Sequence, residues 1–112
     1  MNNTEPLPEE VSATELLELF ASGADFQLVD VREEHEWQEG HIEGATWIVM
    51  NKFVSGSAFS ELAKDKPIIF QCRSGVRSSD CMDIARSAGF SNTSNLTGGI
   101  LAWYKVGGKS CR

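Results

Sequence analysis

A chain of 112 residues, 41% of them hydrophobic, has the material for one compact domain and one core. It contains no apolar run near the roughly twenty residues needed to cross a bilayer, and its polar, acidic start over Met1–Glu10 lacks the features of a secretory signal, so a cytoplasmic protein with no membrane partner is expected. The net charge of −6 is unevenly spread, with twelve Asp/Glu against Arg32 alone in residues 1–50 and four against nine Lys/Arg in residues 51–112; this argues against nucleic-acid binding and leaves room for a local anion site in the second half.

Residues 1–10, with Pro6 and Pro8, read as a loose tail leading to a short edge strand near Val11. Ser12 and Glu15 have the spacing of a capping box, and Val11 can staple onto Leu16. Leu16, Leu17, Leu19 and Phe20 then supply the buried face of a helix that Gly23 stops. Phe26–Val31 is apolar without alternation, as in a strand covered on both sides. Asp30 and Arg32 fall at its C-terminal end, where open α/β sheets place their ligand sites. Glu33–Gln38 predicts a short helix anchored by Trp37. Gly40 and Gly44 bracket a turn around His41, whose expected role is hydrogen bonding within the turn rather than catalysis; His35, among glutamates, is expected to be exposed.

Ala45–Val49 predicts another short strand, Asn51–Ser57 a loop, and Ala58–Ala63 a weak helix. Lys64–Pro67 turns into an apolar strand over Ile68–Phe70. Val76–Ala88 reads as a helix, with Val76, Met82, Ile84, Ala85 and Ala88 on its apolar side and Gly89 as its cap. Asn92–Leu96 carries the weakest strand signal. Gly98 and Gly99 permit a close backbone approach before a short helix through Trp103, and Lys105–Arg112 is expected to fray. Strands alternating with helices predict an α/β fold with a parallel sheet.

Between the Ile68–Phe70 strand and the Val76 helix lies Cys72-Arg73-Ser74-Gly75-Val76-Arg77. A strand, a tight loop and a helix bring backbone N–H groups together at the helix's positive end, where a cysteine sulfur is stabilised as thiolate. Two arginines within five residues strengthen that reading over a buried structural cysteine. The three cysteines, odd in number and without metal-like spacing, argue against a disulfide framework and against a metal centre.

The Cys72–Arg77 stretch resembles the active-site loop of rhodanese-type sulfurtransferases. Leu28-Val29-Asp30-Val31-Arg32, Gly40-His41-Ile42-Glu43-Gly44-Ala45 and Gly98-Gly99-Ile100-Leu101-Ala102-Trp103 resemble other motifs of that family, in the order it requires. The likeness runs from about Val11 to Tyr104, one domain with polar, flexible tails on either side. It implies a three-layer fold, a doubly wound parallel sheet of five strands with helices on both faces. It also implies a catalytic cysteine, Cys72, that cycles between thiolate and persulfide with no cofactor.

Sulfur transfer needs a thiolate, donors that hold an anionic sulfur source, and shelter for the persulfide. Cys72 fits the first. The backbone N–H groups of Arg73, Ser74, Gly75, Val76 and Arg77 fit the third. Arg73 and Arg77 fit the second and could hold thiosulfate. Asp30 and Arg32 are placed to support the loop, although a surface ion pair is nearly as good a reading of Arg32. The acceptor would be cyanide in vitro, and a thiol or a sulfur-carrier protein in the cell. Phosphatase chemistry is the rival, but its loops have five residues between cysteine and arginine, and four separate Cys72 from Arg77. A non-catalytic binding module is a third reading, and the presence of Cys72 counts against it. The loop departs from the Cys-Gly-x-Gly-x-Thr form associated with mercaptopyruvate. Cys81, within the helix, reads as packing, and Cys111 lies in the tail.

Overall fold

The computed structural model describes residues Leu7–Arg112; most of the expected N-terminal tail lies outside them. In chain order the elements are β1 (Glu10–Val11), α1 (Ala13–Ala21), β2 (Gln27–Asp30), α2 (Glu34–Glu39), β3 (His41–Ile42), β4 (Thr46–Trp47) and α3 (Met50–Ser55). A 3-10 turn (Ser57–Glu61) follows, then β5 (Ile68–Gln71), α4 (Val76–Ser87), β6 (Thr93–Leu96), α5 (Gly99–Lys105) and β7 (Ser110–Cys111). Five strands form one parallel sheet in the order β1-β6-β5-β2-β4.

Each strand of that sheet shows alternate side chains to opposite faces, and both faces are filled. Val29, Phe70 and Cys72 point to one side, where Phe53 of α3 and Cys81, Met82 and Ala85 of α4 meet them. Leu28 and Ile69 point to the other, against Leu16 of α1 and Ile100 and Trp103 of α5. The result is the expected three-layer α/β arrangement with helices on both faces. β5 lies at the centre, its Ile68, Ile69 and Phe70 all 2% exposed or less, so the residue that follows is held by a rigid strand.

The ends of α1 follow the residues that were expected to set them. Glu15 N–H donates to Ser12 Oγ at 3.0 Å and Ser12 N–H to Glu15 Oε1 at 2.8 Å. Gly23 adopts φ +72°, and the N–H groups of Gly23 and Ala24 close on the carbonyls of Phe20 and Leu19. Gly89 ends α4 in the same way, its N–H bonded to Arg86 and that of Phe90 to Ala85.

Four expectations need correction. Asn51–Ser57 is helical over Met50–Ser55, because Phe53, 1% exposed, drives a single turn into the core with no periodic pattern around it. The helix expected over Ala58–Ala63 is instead the 3-10 turn, ending at Glu61. Val76 and Ala88 leave the apolar side of α4; Val76 is 68% exposed, and the buried face is Ser78, Cys81, Met82 and Ala85. The C-terminal segment carries a strand rather than a frayed end: β7 pairs antiparallel with β3, Trp103 Nε1 donates to the Lys109 carbonyl at 2.9 Å, and Gly108 lies flat against the Trp103 ring, where a Cβ would not fit. No helix among the described residues is long and apolar enough to cross a membrane.

Candidate functional site

Cys72 follows the last residue of β5 at the C-terminal edge of the parallel sheet, and α4 begins four residues later. Gly75 is the N-cap of α4 with φ +112°, a conformation that costs an L side chain roughly 1–2 kcal/mol. That turn aims the Gly75 N–H back at Cys72 Sγ, 3.1 Å away. The Ser78 hydroxyl stands 3.3 Å from the same sulfur. Burial alone pushes the Cys72 thiol up. The Ser78 hydroxyl and the backbone N–H groups of Ser78, Gly75 and Ser74 outweigh it, and the thiol is held below its ordinary value. Among the residues whose backbone N–H groups were expected to cradle the sulfur, Ser74 and Gly75 bond to it; the Val76 side chain is exposed.

The underside of the loop rests on α5. Ile100 N–H donates to the Cys72 carbonyl at 2.9 Å and Leu101 N–H to the Arg73 carbonyl at 3.3 Å. Gly99 makes this approach possible, since a Cβ there would overlap both carbonyls. Gln71 Nε2 is a second donor to the Cys72 carbonyl, at 2.8 Å. The loop thus has its N–H groups facing inward and its carbonyls tied down behind.

The two arginines have different surroundings. Arg77 makes a two-point ion pair with Glu36 of α2, at 2.8 Å and 2.9 Å. The Arg77 hydrogen bond is the largest influence on Glu36; it outweighs burial and, with the Glu33 N–H, brings the carboxyl down to about 2. Arg77 is raised in turn, first by that bond and, among smaller charge effects, by a Cys72 thiolate. Arg73 is exposed, and among the described residues its side chain makes no hydrogen bond or ion pair.

Asp30 and Arg32 form a buried pair rather than a surface one, 0% and 5% exposed. Arg32 Nη2 reaches Asp30 Oδ2 and the Gly40 carbonyl, both at 2.8 Å, and among the described residues neither side chain bonds to the Cys72 loop. They fix the end of α2, which carries Glu36, so their reach toward the loop runs through Glu36 and Arg77. His41 serves the turn as expected: Nδ1 lies 2.9 Å from the Trp37 carbonyl and its ring stacks on Trp37. His35 is exposed. The other thiols differ sharply from Cys72. Cys81 is fully buried and pushed up to about 12, by burial first, then by the charges of Cys72 and Asp80. Cys111 is exposed, its sulfur 3.2 Å from His41 Nε2.

Sequence reasoning missed Ser78, Asn95 and Glu36. Ser78 was open to counting, because a helix starting after Gly75 turns its first free N–H groups, and the third residue's side chain, toward the loop. Asn95 and Glu36 come from distant elements and had no local signal.

A parallel five-stranded sheet flanked by helices, with a cysteine cradled by backbone N–H groups beyond its central strand, defines a class of α/β proteins built around one buried, hydrogen-bonded thiol. The chain belongs to the rhodanese-like domain family, which matches it over residues 12–106. It is 37% identical over 95 residues to the Mycobacterium tuberculosis protein named "Probable adenylyltransferase/sulfurtransferase MoeZ", covering 85% of this chain and 24% of that one. The chain thus spans about a quarter of that relative's length. It is 33% identical to a sulfurtransferase of Allochromatium vinosum, covering 88% of this chain and 90% of the relative. The solution structure of the rhodanese-like domain from the Anabaena sp. Alr3790 protein superposes with a TM-score of 0.85 at 30% identity, covering 94% of this chain and 80% of that one.

Proposed function

We propose that this protein is a sulfurtransferase in which Cys72 carries sulfane sulfur from an anionic donor such as thiosulfate, or from another persulfide, to a thiophilic acceptor. The observation that carries the reading is the cradle at Cys72 Sγ. A thiol that is 1% exposed is nonetheless held below its ordinary value, chiefly by hydroxyl and backbone donors. Sulfurtransferase relatives of similar length to this chain support the same activity.

The reaction balances without a cofactor. The Cys72 thiolate attacks the outer sulfur of thiosulfate, the S–S bond breaks, and sulfite leaves with the electron pair. An acceptor such as cyanide then attacks the outer sulfur of the persulfide, releasing thiocyanate and restoring the thiolate. Inward N–H groups stabilise negative sulfur in both states and need no reorganisation between them. Arg73, exposed at the mouth and without a protein partner among the described residues, is the cation best placed to meet the incoming dianion. Arg77 keeps three further N–H groups beyond the two that Glu36 engages. A phosphoryl group would need one more residue in the loop, and its lack here removes up to about 3.5 Å of contour.

Purified protein is expected to form thiocyanate from thiosulfate and cyanide and to turn over aryl phosphates poorly. Incubation with thiosulfate should leave one added sulfur atom on Cys72 by peptide mapping, and Cys72→Ser should abolish transfer. Phosphate release without thiocyanate, or a sulfur adduct confined to Cys111, would overturn the reading.

A further inference from the structure

Asn95 stands on β6 beside the Cys72 loop, 4% exposed, and its surroundings decide which way its amide faces. On one side lie the Gly75 carbonyl at 3.2 Å and the Glu10 carboxylate at 3.3 Å. Both only accept hydrogen bonds, so the NH2 group must face them. That turns Oδ1 toward Ser78, whose hydroxyl oxygen is 2.6 Å away. Oδ1 is also only an acceptor, so it draws the single proton of the Ser78 hydroxyl. The same hydroxyl oxygen lies 3.3 Å from Cys72 Sγ. One proton therefore has two acceptors.

The sulfur's charge decides between them. As a thiol, or as the inner sulfur of a persulfide, Sγ is a weak acceptor, and the amide oxygen keeps the proton at the shorter distance. As a thiolate, Sγ offers a charge-assisted bond, roughly twice as strong as a neutral one. The hydroxyl is fully buried, so water does not compete for it.

We propose that Asn95 is a positioning residue for sulfur transfer, which parks the Ser78 hydroxyl proton and yields it to Cys72 Sγ only when that sulfur becomes a thiolate. The proposal rests on Cys72 as the sulfur carrier, but its test does not require transfer. When an acceptor attacks the outer sulfur, the S–S bond breaks and its electron pair returns to Sγ. The Ser78 hydroxyl then rotates from Oδ1 to Sγ, and no proton leaves Ser78. On reloading it rotates back. Asn95 thereby limits how far the thiolate is stabilised. That limit preserves nucleophilicity, which falls as a thiol's pKa falls.

The experiment follows the rate of Cys72 alkylation by iodoacetamide against pH, read by peptide mapping. Asn95→Leu keeps the side chain's size and removes the competing acceptor. Cys72 is expected to alkylate about three- to tenfold faster in Asn95→Leu at pH values below the wild-type midpoint, the size of one ordinary hydrogen bond. In a Ser78→Ala background the same replacement should leave the profile where it was. Slower alkylation in Asn95→Leu, or an equal shift with and without the hydroxyl, would overturn the proposal and leave Asn95 as a brace for the loop. If Leu disturbs the fold by thermal unfolding, Asn95→Asp keeps the shape and is the stronger acceptor. It should slow alkylation more with Ser78 present than in Ser78→Ala, and equal slowing would overturn the proposal. Thiocyanate formation is measured in parallel. Wild-type protein that follows these profiles but transfers no sulfur would overturn the sulfurtransferase reading and leave the hydroxyl switch standing.

Discussion

Arg77 and Arg73 look equivalent in the sequence, and the fold separates them. Glu36 holds Arg77 through two N–H groups, whereas Arg73 extends from the loop into solvent. Arg73→Ala is therefore expected to raise the KM for thiosulfate by roughly ten- to a hundredfold, the range of one lost charge-assisted bond, with an unchanged melting temperature. Arg77→Ala should weaken thiosulfate use as well and also lower the melting temperature, because it unties α2 from α4. Equal melting temperatures for the two variants would contradict this division. The Glu36 carboxyl, ordinarily near 4.5, sits at about 2 in the fold, so it is depressed relative to the unfolded chain. The stability it contributes is complete above about pH 4.5 and is lost as pH falls toward 2. Both side chains are partly exposed, which keeps the contribution small. The melting temperature of Glu36→Gln should therefore fall below wild type at neutral pH and converge with it between pH 4.5 and 2; a gap constant with pH would show that charge plays no part.

At the scale of elements, α5 is the support on which the reactive loop depends. Gly99 has φ +59° and no room for a Cβ beneath the Cys72 and Arg73 carbonyls. Gly99→Ala should cost about 2–4 kcal/mol, combining backbone strain with overpacking, and should slow Cys72 alkylation by displacing the loop. Gly89→Ala is the control, since φ is +104° there but open space surrounds the site. It should cost only about 1–2 kcal/mol and leave Cys72 unchanged. A Gly99→Ala protein with normal Cys72 reactivity would show that the loop holds itself. The Gly98-Gly99 pair was readable as a close approach, though not what it approached. The capping box of α1 and the apolar run of β5 were readable because their signals are local. β6 was nearly lost because Thr93, Ser94 and Asn95 are polar yet buried. Their partners, Arg86 for Thr93, Ser78 for Asn95 and Pro8 for Ser94, come from α4 and from the chain before β1. α3 and β7 were missed for a related reason. One depends on a single buried phenylalanine, and the other on an edge offered by β3 in the first half of the chain.

Across the whole molecule, every neighbour in the main sheet is parallel, so each pairing requires a crossover instead of a tight turn. β5, the central strand, takes one partner from the first half of the chain and one from the second, and Glu10 of β1 meets Asn95 of β6 across 85 residues. Such non-local pairing slows folding to roughly milliseconds or longer. A fragment of residues 7–66, which lacks β5 and β6, is expected to stay unfolded by circular dichroism and amide NMR dispersion. Native-like dispersion in that fragment would show that the first half has a core of its own.

The crossover topology also governs when the sulfur becomes special. The donors that lower Cys72 lie in the loop and α4, the floor beneath it is α5, and the amide beside Ser78 belongs to β6. On the ribosome all of these emerge after the cysteine itself. Until the last third of the chain has been made and docked, Cys72 is an ordinary thiol. If Cys72 carries sulfur as proposed, its reactivity arrives as the final act of folding, because a half-made chain lacks the donors that would shelter a persulfide.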